Sequence, residues 1–274
     1  MENHALIRLS VFAGLFALFA VIEALAPRRA RTQPRSTRWF TNWAIIILDM
    51  LALRLLALAL PLLAVGAALD AQTEGWGVMN AVELPLWATV VATVLIFDFA
   101  IWTQHVITHK IPLLWRFHRV HHADRDFDVT TAIRFHPVEI AFSMLLKIGL
   151  VYLLGPPAIG IVLFEIILNG TAMFNHANIR LPLWLDGVMR RLLVTPDMHR
   201  VHHSIIVKET HSNFGFFLSI WDVIFRTYRA QPKLGHDGVI IGVPEITDRS
   251  EQRLDKMLRQ PFKNFTTSNS STQK

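Results

Sequence analysis

The chain has 274 residues, which is one domain or at most two. Its apolar share of 52%, charged share of 18% and mean hydropathy of +0.37 exclude a disordered chain, a coiled coil and an ordinary soluble enzyme, and they fit a protein partly immersed in lipid. The absence of cysteine excludes disulfides, thiolate metal sites and cysteine nucleophiles, while a net charge of +6 fits either nucleic acid or an anionic membrane surface until the charges are located.

The first apolar run covers Ala5 to Ala26. Its Ala24-Leu25-Ala26 end resembles a signal-peptide junction, but Pro27 and the arginines that follow argue against cleavage, so a retained membrane helix is expected. Arg28, Arg29, Arg31, Arg35 and Arg38 come next. The second run, Trp43 to Ala68, carries Asp49 and Arg54 within it. They lie off the helical i+3 or i+4 spacing, so a structural pairing with another helix is expected rather than a catalytic role. No lysine or arginine follows until the third run, Ala81 to Gln104, has ended.

At the end of that run stand His105 and His109, then His118, His121 and His122, with Lys110, Arg116, Arg119, Arg125 and Arg134 nearby. His136 lies at the base of the fourth run, Val138 to Leu154. The triplet Gly155-Pro156-Pro157 imposes a tight turn, because proline fixes φ and has no N–H. The fifth run, Pro157 to Phe174, is expected to return antiparallel, as a hairpin that either spans fully or is re-entrant, and closes on Asn175-His176. A second H-R-V-H-H motif follows at His199, His202 and His203, with His211 beyond it. The tail Asn264 to Lys274 is rich in serine, threonine and asparagine and is expected to be disordered.

Each run is near the roughly 20 residues that cross a hydrocarbon core. If the Arg28–Arg38 loop is inside, every basic connecting segment falls on the cytoplasmic side and the 66–80 loop falls outside. The positive charge then needs no nucleic-acid partner. The expected architecture is all-α: a multi-pass membrane bundle of four to five helices with a cytoplasmic, histidine-rich helical cap. It divides into N-terminal membrane helices (1–80), a catalytic domain (81–230) and a C-terminal cytoplasmic segment (231–274).

Residues three and four apart share a helix face, so each histidine window is expected to aim its imidazoles at one point. Imidazole binds zinc, iron, copper and nickel. Eight histidines exceed the capacity of one ion, so two ions are expected. His176 is the candidate ninth ligand, and His136 is a further candidate. Asp98, Trp102, His105 and His109 share one face of the third run. A carboxylate inside a membrane helix is costly, so Asp98 is expected to orient a ligating imidazole. No H-E-x-x-H, G-x-S-x-G or P-loop motif is present.

These motifs together resemble the histidine boxes of the fatty acid hydroxylase/sterol desaturase superfamily. The resemblance rests on Asp98…His105-x-x-x-His109, His118-x-x-His121-His122, Asn175-His176 and His199-x-x-His202-His203. The stretch Thr195 to Ser204, then Ser212-Asn-Phe-Gly215 and Trp221-Asp222, is similar to the microbial sterol-desaturase-like branch and to alkylglycerol monooxygenases. It implies two iron ions, with zinc as an alternative in purified material. It also implies O2 as co-substrate, a membrane lipid hydroxylated or desaturated at a C–H bond, and a separate electron donor such as a reductase, ferredoxin or cytochrome b5-like protein. The ligands by box matching are His105, His109, His118, His121, His122, His176, His199, His202 and His203, with Asn175 beside them in a supporting place. Some relatives carry a second histidine after the hairpin. Arg180 occupies that position here, so one ligand is either missing or replaced, with His136 as the candidate replacement. The rivals are a zinc-dependent membrane hydrolase and a metal-binding membrane protein without turnover. The aromatics Phe214, Phe216, Phe217 and Trp221 are expected to pack over the site as core.

Overall fold

The computed structural model describes residues 2–60 and 63–265, all of whose regular elements are helical. In chain order these are α1 (Glu2–Leu25), α2 (Arg35–Ala59), α3 (Ala64–Thr73), α4 (Leu86–Lys110), α5 (Pro112–His122), α6 (Pro137–Leu154), α7 (Ala158–His176), α8 (Leu183–Met189) and α9 (Pro196–His202), followed by shorter turns. Five segments are long and apolar enough to cross a membrane: Ala5–Leu25, Arg35–Asn80, Leu86–Lys110, Pro137–Leu154 and Ala158–His176. Leu6, Leu9, Leu18, Leu55, Leu58 and Val91 stand exposed on them. That is the normal state of a face that meets lipid. The expected tail lies outside the described residues from 266 onward.

The second apolar run is not one helix. It is divided between α2 and α3, with Pro61, which has no N–H to continue a helix, between them. α3 has 10 residues. At 1.5 Å per residue it is about 15 Å long, too short to span. It lays Ala64, Ala67, Ala68 and Ala71 against α6 and α7 instead. The expected pairing of Asp49 and Arg54 with other helices is absent among the described residues: Arg54 is exposed, and Asp49 is buried with Oδ1 unpartnered.

The α6–α7 hairpin forms where the Gly-Pro-Pro triplet requires it. Gly155 closes α6 in the left-handed region at φ 63°. A side chain there would also collide with the Trp76 carbonyl and the Asn80 amide. α7 packs on α1, α3 and α4, with Phe97 and Phe164 in contact at the α4–α7 crossing.

α5, the loop to α6 and the chain after α7 gather at one end of the bundle. The register of that cap is set by buried charge. Arg38, at the start of α2, donates from Nε and Nη2 to Asp124 (2.8 and 2.7 Å) and from Nη1 to Asp128 (2.5 Å). Asp126 accepts from the Thr32 and Gln33 backbone N–H groups. The helix Leu254–Arg259 closes the cap by packing Met257 on Ile45 and Val120. Several arginines that follow the positive-inside pattern are therefore internal struts: Arg38, Arg134 and Arg200 are among the largest fully buried side chains.

Candidate metal centre

Nine histidines converge where the cap meets the bundle, and all nine are buried. They form two groups. His105, His109, His118, His122 and His202 make one; His121, His176, His199 and His203 make the other. Within each group the nitrogens that could bind an ion lie within 4.8 Å of one another. The helical period does the sorting. On α5, His118 and His122 are four apart and share a face, while His121 turns toward the second group. Around α9 the roles reverse: His199 and His203 serve the second group and His202 the first. Each H-x-x-H-H motif thus straddles both groups, instead of aiming at one point as its spacing alone suggests.

The hydrogen bonds fix which nitrogen each ring presents. A carbonyl can only accept, so Nδ1–H must donate from His105 to Phe214 O (2.7 Å), from His202 to Ser212 O (2.7 Å), from His176 to Ala172 O (2.7 Å) and from His121 to Arg134 O (3.2 Å). His118 Nδ1 pairs with Glu139 Oε1 at 2.6 Å. In all five rings Nε2 is left with a lone pair. These lone pairs face each other: His105 and His118 Nε2 are 3.1 Å apart, and His176 Nε2 lies 3.1 Å from His121 Nε2. His199 and His203 Nε2 stand at 3.1 and 3.2 Å from His176 Nε2.

Such an arrangement fits metal ions. Two lone pairs at that distance repel unless a cation lies between them. Metal–nitrogen bonds of about 2.1 Å, 90–109° apart, hold nitrogens about 3.0–3.4 Å from one another. Both ring nitrogens of His109 and of His122, and Nε2 of His202, are buried without a partner among the described residues. Each such orphan costs about 1–3 kcal/mol. Burial first, and the neighbouring imidazoles next, hold His121, His122, His199, His202 and His203 well below the ordinary range. They are therefore neutral at pH 7, the form that binds metal.

The supporting shell differs from expectation. Asp98 does not touch an imidazole. Its Oδ2 accepts from Trp221 Nε1 (2.8 Å) and Leu218 N–H (3.2 Å). Asp222 accepts from Trp102 Nε1, Phe214 N–H and Gly215 N–H. Asn175 Nδ2 donates to Phe216 O at 2.6 Å. All three pin the 212–222 segment, whose carbonyls in turn receive the His105 and His202 protons. Asp98 and Asn175 thus act on the histidines at one remove. The carboxylate that bonds directly to a ring is Glu139 on α6, 21 residues from His118 and joined to it by no local pattern. His136 lies outside both groups. Its Nδ1 accepts from Val138 N–H and caps α6, and its ring lies against Phe117. With groups of five and four already assembled, no replacement ligand is needed for Arg180. His211 approaches His109 at 5.6 Å between ring centroids but joins neither group.

A cavity of about 310 Å³ runs from His105 and His118 between α1, α2, α4, α6 and α7. Its walls are mainly apolar, including Ile101, Ile133, Phe135, Met144, Leu168 and Phe216. That volume is at the lower end of small-molecule sites, which are about 300–1,000 Å³. Phe216 is buried in the hydrophobic core as expected, and it also forms part of the wall. No member of the four-histidine group lines the cavity.

The chain is similar to several known proteins. An ornithine lipid hydroxylase of Rhizobium tropici is 26% identical over 92% of this chain and 74% of its own length. An alkylglycerol monooxygenase of Xenopus tropicalis is 28% identical over 56% of this chain, which spans only 34% of that relative. A cholesterol 25-hydroxylase-like protein of Danio rerio is 25% identical over 81% of this chain and 88% of its own length. No solved structure matches the chain significantly. Residues 90–227, half of the chain and the part that carries all nine grouped histidines, match the fatty acid hydroxylase family model, and the chain belongs to that family.

Proposed function

We propose that this chain is a membrane-embedded di-iron oxygenase that hydroxylates a lipid C–H bond, with desaturation as the alternative outcome of the same hydrogen removal. One observation carries the reading: an apolar cavity within the membrane helices ends on His105 and His118 of the five-histidine group. In the balanced reaction the lipid and O2, with two electrons and two protons, give the hydroxylated lipid and water. The nine grouped histidines would hold two ions, which when bound supply the O2 activation that a side chain cannot.

The protein's own residues do the rest. Glu139 and the Phe214 and Ser212 carbonyls hold the protons of His118, His105 and His202 on Nδ1, so that every Nε2 stays a donor. Ile133, Phe135 and Phe216 exclude water and bring the chain of the substrate to the histidines. Electrons come from a separate donor protein on the cytoplasmic side, where the cap lies. The relatives' names, an ornithine lipid hydroxylase and an alkylglycerol monooxygenase, support a membrane lipid as substrate.

The test is elemental analysis of protein purified anaerobically in mild detergent, followed by lipid oxidation under ¹⁸O2 with a chemical or protein reductant. Wild type is expected to hold about two irons per chain and to place ¹⁸O in lipid. His202→Ala, which breaks only the five-histidine group, is expected to retain about one iron and lose turnover. Full iron in His202→Ala, or ¹⁸O-free lipid from reduced, iron-loaded wild type, would refute the reading.

A further inference from the structure

Asp49 has no part in the site described so far. It sits within α2, 5% exposed, with Oδ1 lacking a hydrogen-bonding partner among the described residues, and it lines the cavity that leads to His105 and His118. A carboxylate in an apolar bundle is costly unless something meets it. α2 packs on α6, and Glu139 of α6 borders the same cavity. Glu139 Oε1 is used by His118, while its Oε2 is buried and without a partner among the described residues.

The other charged side chains lining the cavity are already paired. Arg8 and Lys147 both pair with Glu165, at 2.7 and 3.7 Å. Lys147 also lies eight residues beyond Glu139 on α6, a rise of about 12 Å. Ser143 donates to Gln104 at 3.1 Å. Two carboxylate oxygens therefore remain open on the walls of this cavity, one of them on the acid that holds His118, and no cation among the described residues pairs with either.

We propose that Asp49 and Glu139 receive the ammonium group of the lipid that enters this cavity, so that the substrate is an aminolipid whose amino end lies next to the five-histidine group. A neutral hydroxyl would supply a hydrogen bond but bring no charge to meet a buried carboxylate. An ammonium group has three donors and a positive charge, and it answers both. The inference rests on the hydroxylase reading. It adds which end of the lipid faces the metal ions.

The test uses the full-length, iron-loaded protein in a neutral detergent. Equilibrium binding is measured for radiolabelled octadecylamine, octadecanol and N-acetyloctadecylamine. Wild type is expected to bind the amine at least about ten-fold more tightly than either neutral probe, as a desolvated charge pair requires. Asp49→Asn is expected to reduce that preference to about two-fold or less, with iron content and melting temperature kept. Equal binding of the three probes by wild type overturns the proposal without recourse to any variant, as does a preference that survives in Asp49→Asn. Iron is counted in the same samples. An iron-loaded, active wild type without amine preference sinks this inference alone, whereas a folded protein without iron sinks the hydroxylase reading.

Discussion

Arg38→Ala tests whether buried charge sets the cap. The Arg38 side chain is 1% exposed, and its partners Asp124 and Asp128 are 0% and 1% exposed. Arg38 grips Asp124 with two nitrogens and reaches Asp128 with the third. Burial pushes the Asp124 carboxyl up, but the attraction of Arg38 outweighs burial and brings it down to about 2. Removing one member of a buried pair costs about 3–5 kcal/mol, because the remaining charge has no compensation. At about 2–4 °C per kcal/mol, the melting temperature should fall by roughly 6–20 °C. Arg38→Lys, which keeps the charge but not the fork, should fall in between. The assay is thermal unfolding in mild detergent.

The pH dependence has a definite sign. In wild type the folded carboxyl lies below its ordinary 3.8, so Asp124 contributes stability above that value and loses it as pH falls through about 2. In Arg38→Ala the same carboxyl is buried without its partner and its folded pKa is raised, so acid relieves it. The gap between the two proteins should therefore narrow as pH falls from 5 to 3. The comparison is made on metal-free protein, so that histidine protonation is common to both. A variant that melts within about 2 °C of wild type, or a gap that does not move with pH, would refute the reasoning.

Two further outcomes are expected. Asp98→Asn replaces a charged acceptor of the Trp221 and Leu218 N–H groups by a neutral one, so it should lower stability by about 1–2 kcal/mol and leave the metal count unchanged; metal loss on elemental analysis would show that the 212–222 segment needs the Asp98 charge to hold His105 and His202 in place. A reporter fused after Lys274 should read cytoplasmic in intact cells, and an external signal would reverse the orientation inferred from the arginines and lysines.

Much of the molecule is written in short-range patterns. The apolar runs, the Gly155-Pro156-Pro157 turn and the H-x-x-H-H motifs each depend on neighbours within a few residues. The α6–α7 hairpin accordingly stands where the triplet places it, and the nine matched histidines converge. One local signal also ran against a sequence expectation. Pro137 occupies the first position of α6, which makes His136 its capping residue rather than a candidate ligand.

What the sequence by itself determined is therefore the apolar helices, the divided second run excepted, and the nine imidazoles that converge, because the first follow from the length of a continuous apolar run and the second from spacings of three to four residues. Only the tertiary structure decided how each H-x-x-H-H motif is shared between two groups, since that depends on how α5 and α9 dock. It also decided that Glu139 holds His118, that Asp98 reaches Trp221 from 123 residues away, and that Asp49 faces the cavity without a partner. Those pairings carry no period along the chain. They arise when helices pack and bring distant polar groups into a space where each must find a partner or remain costly.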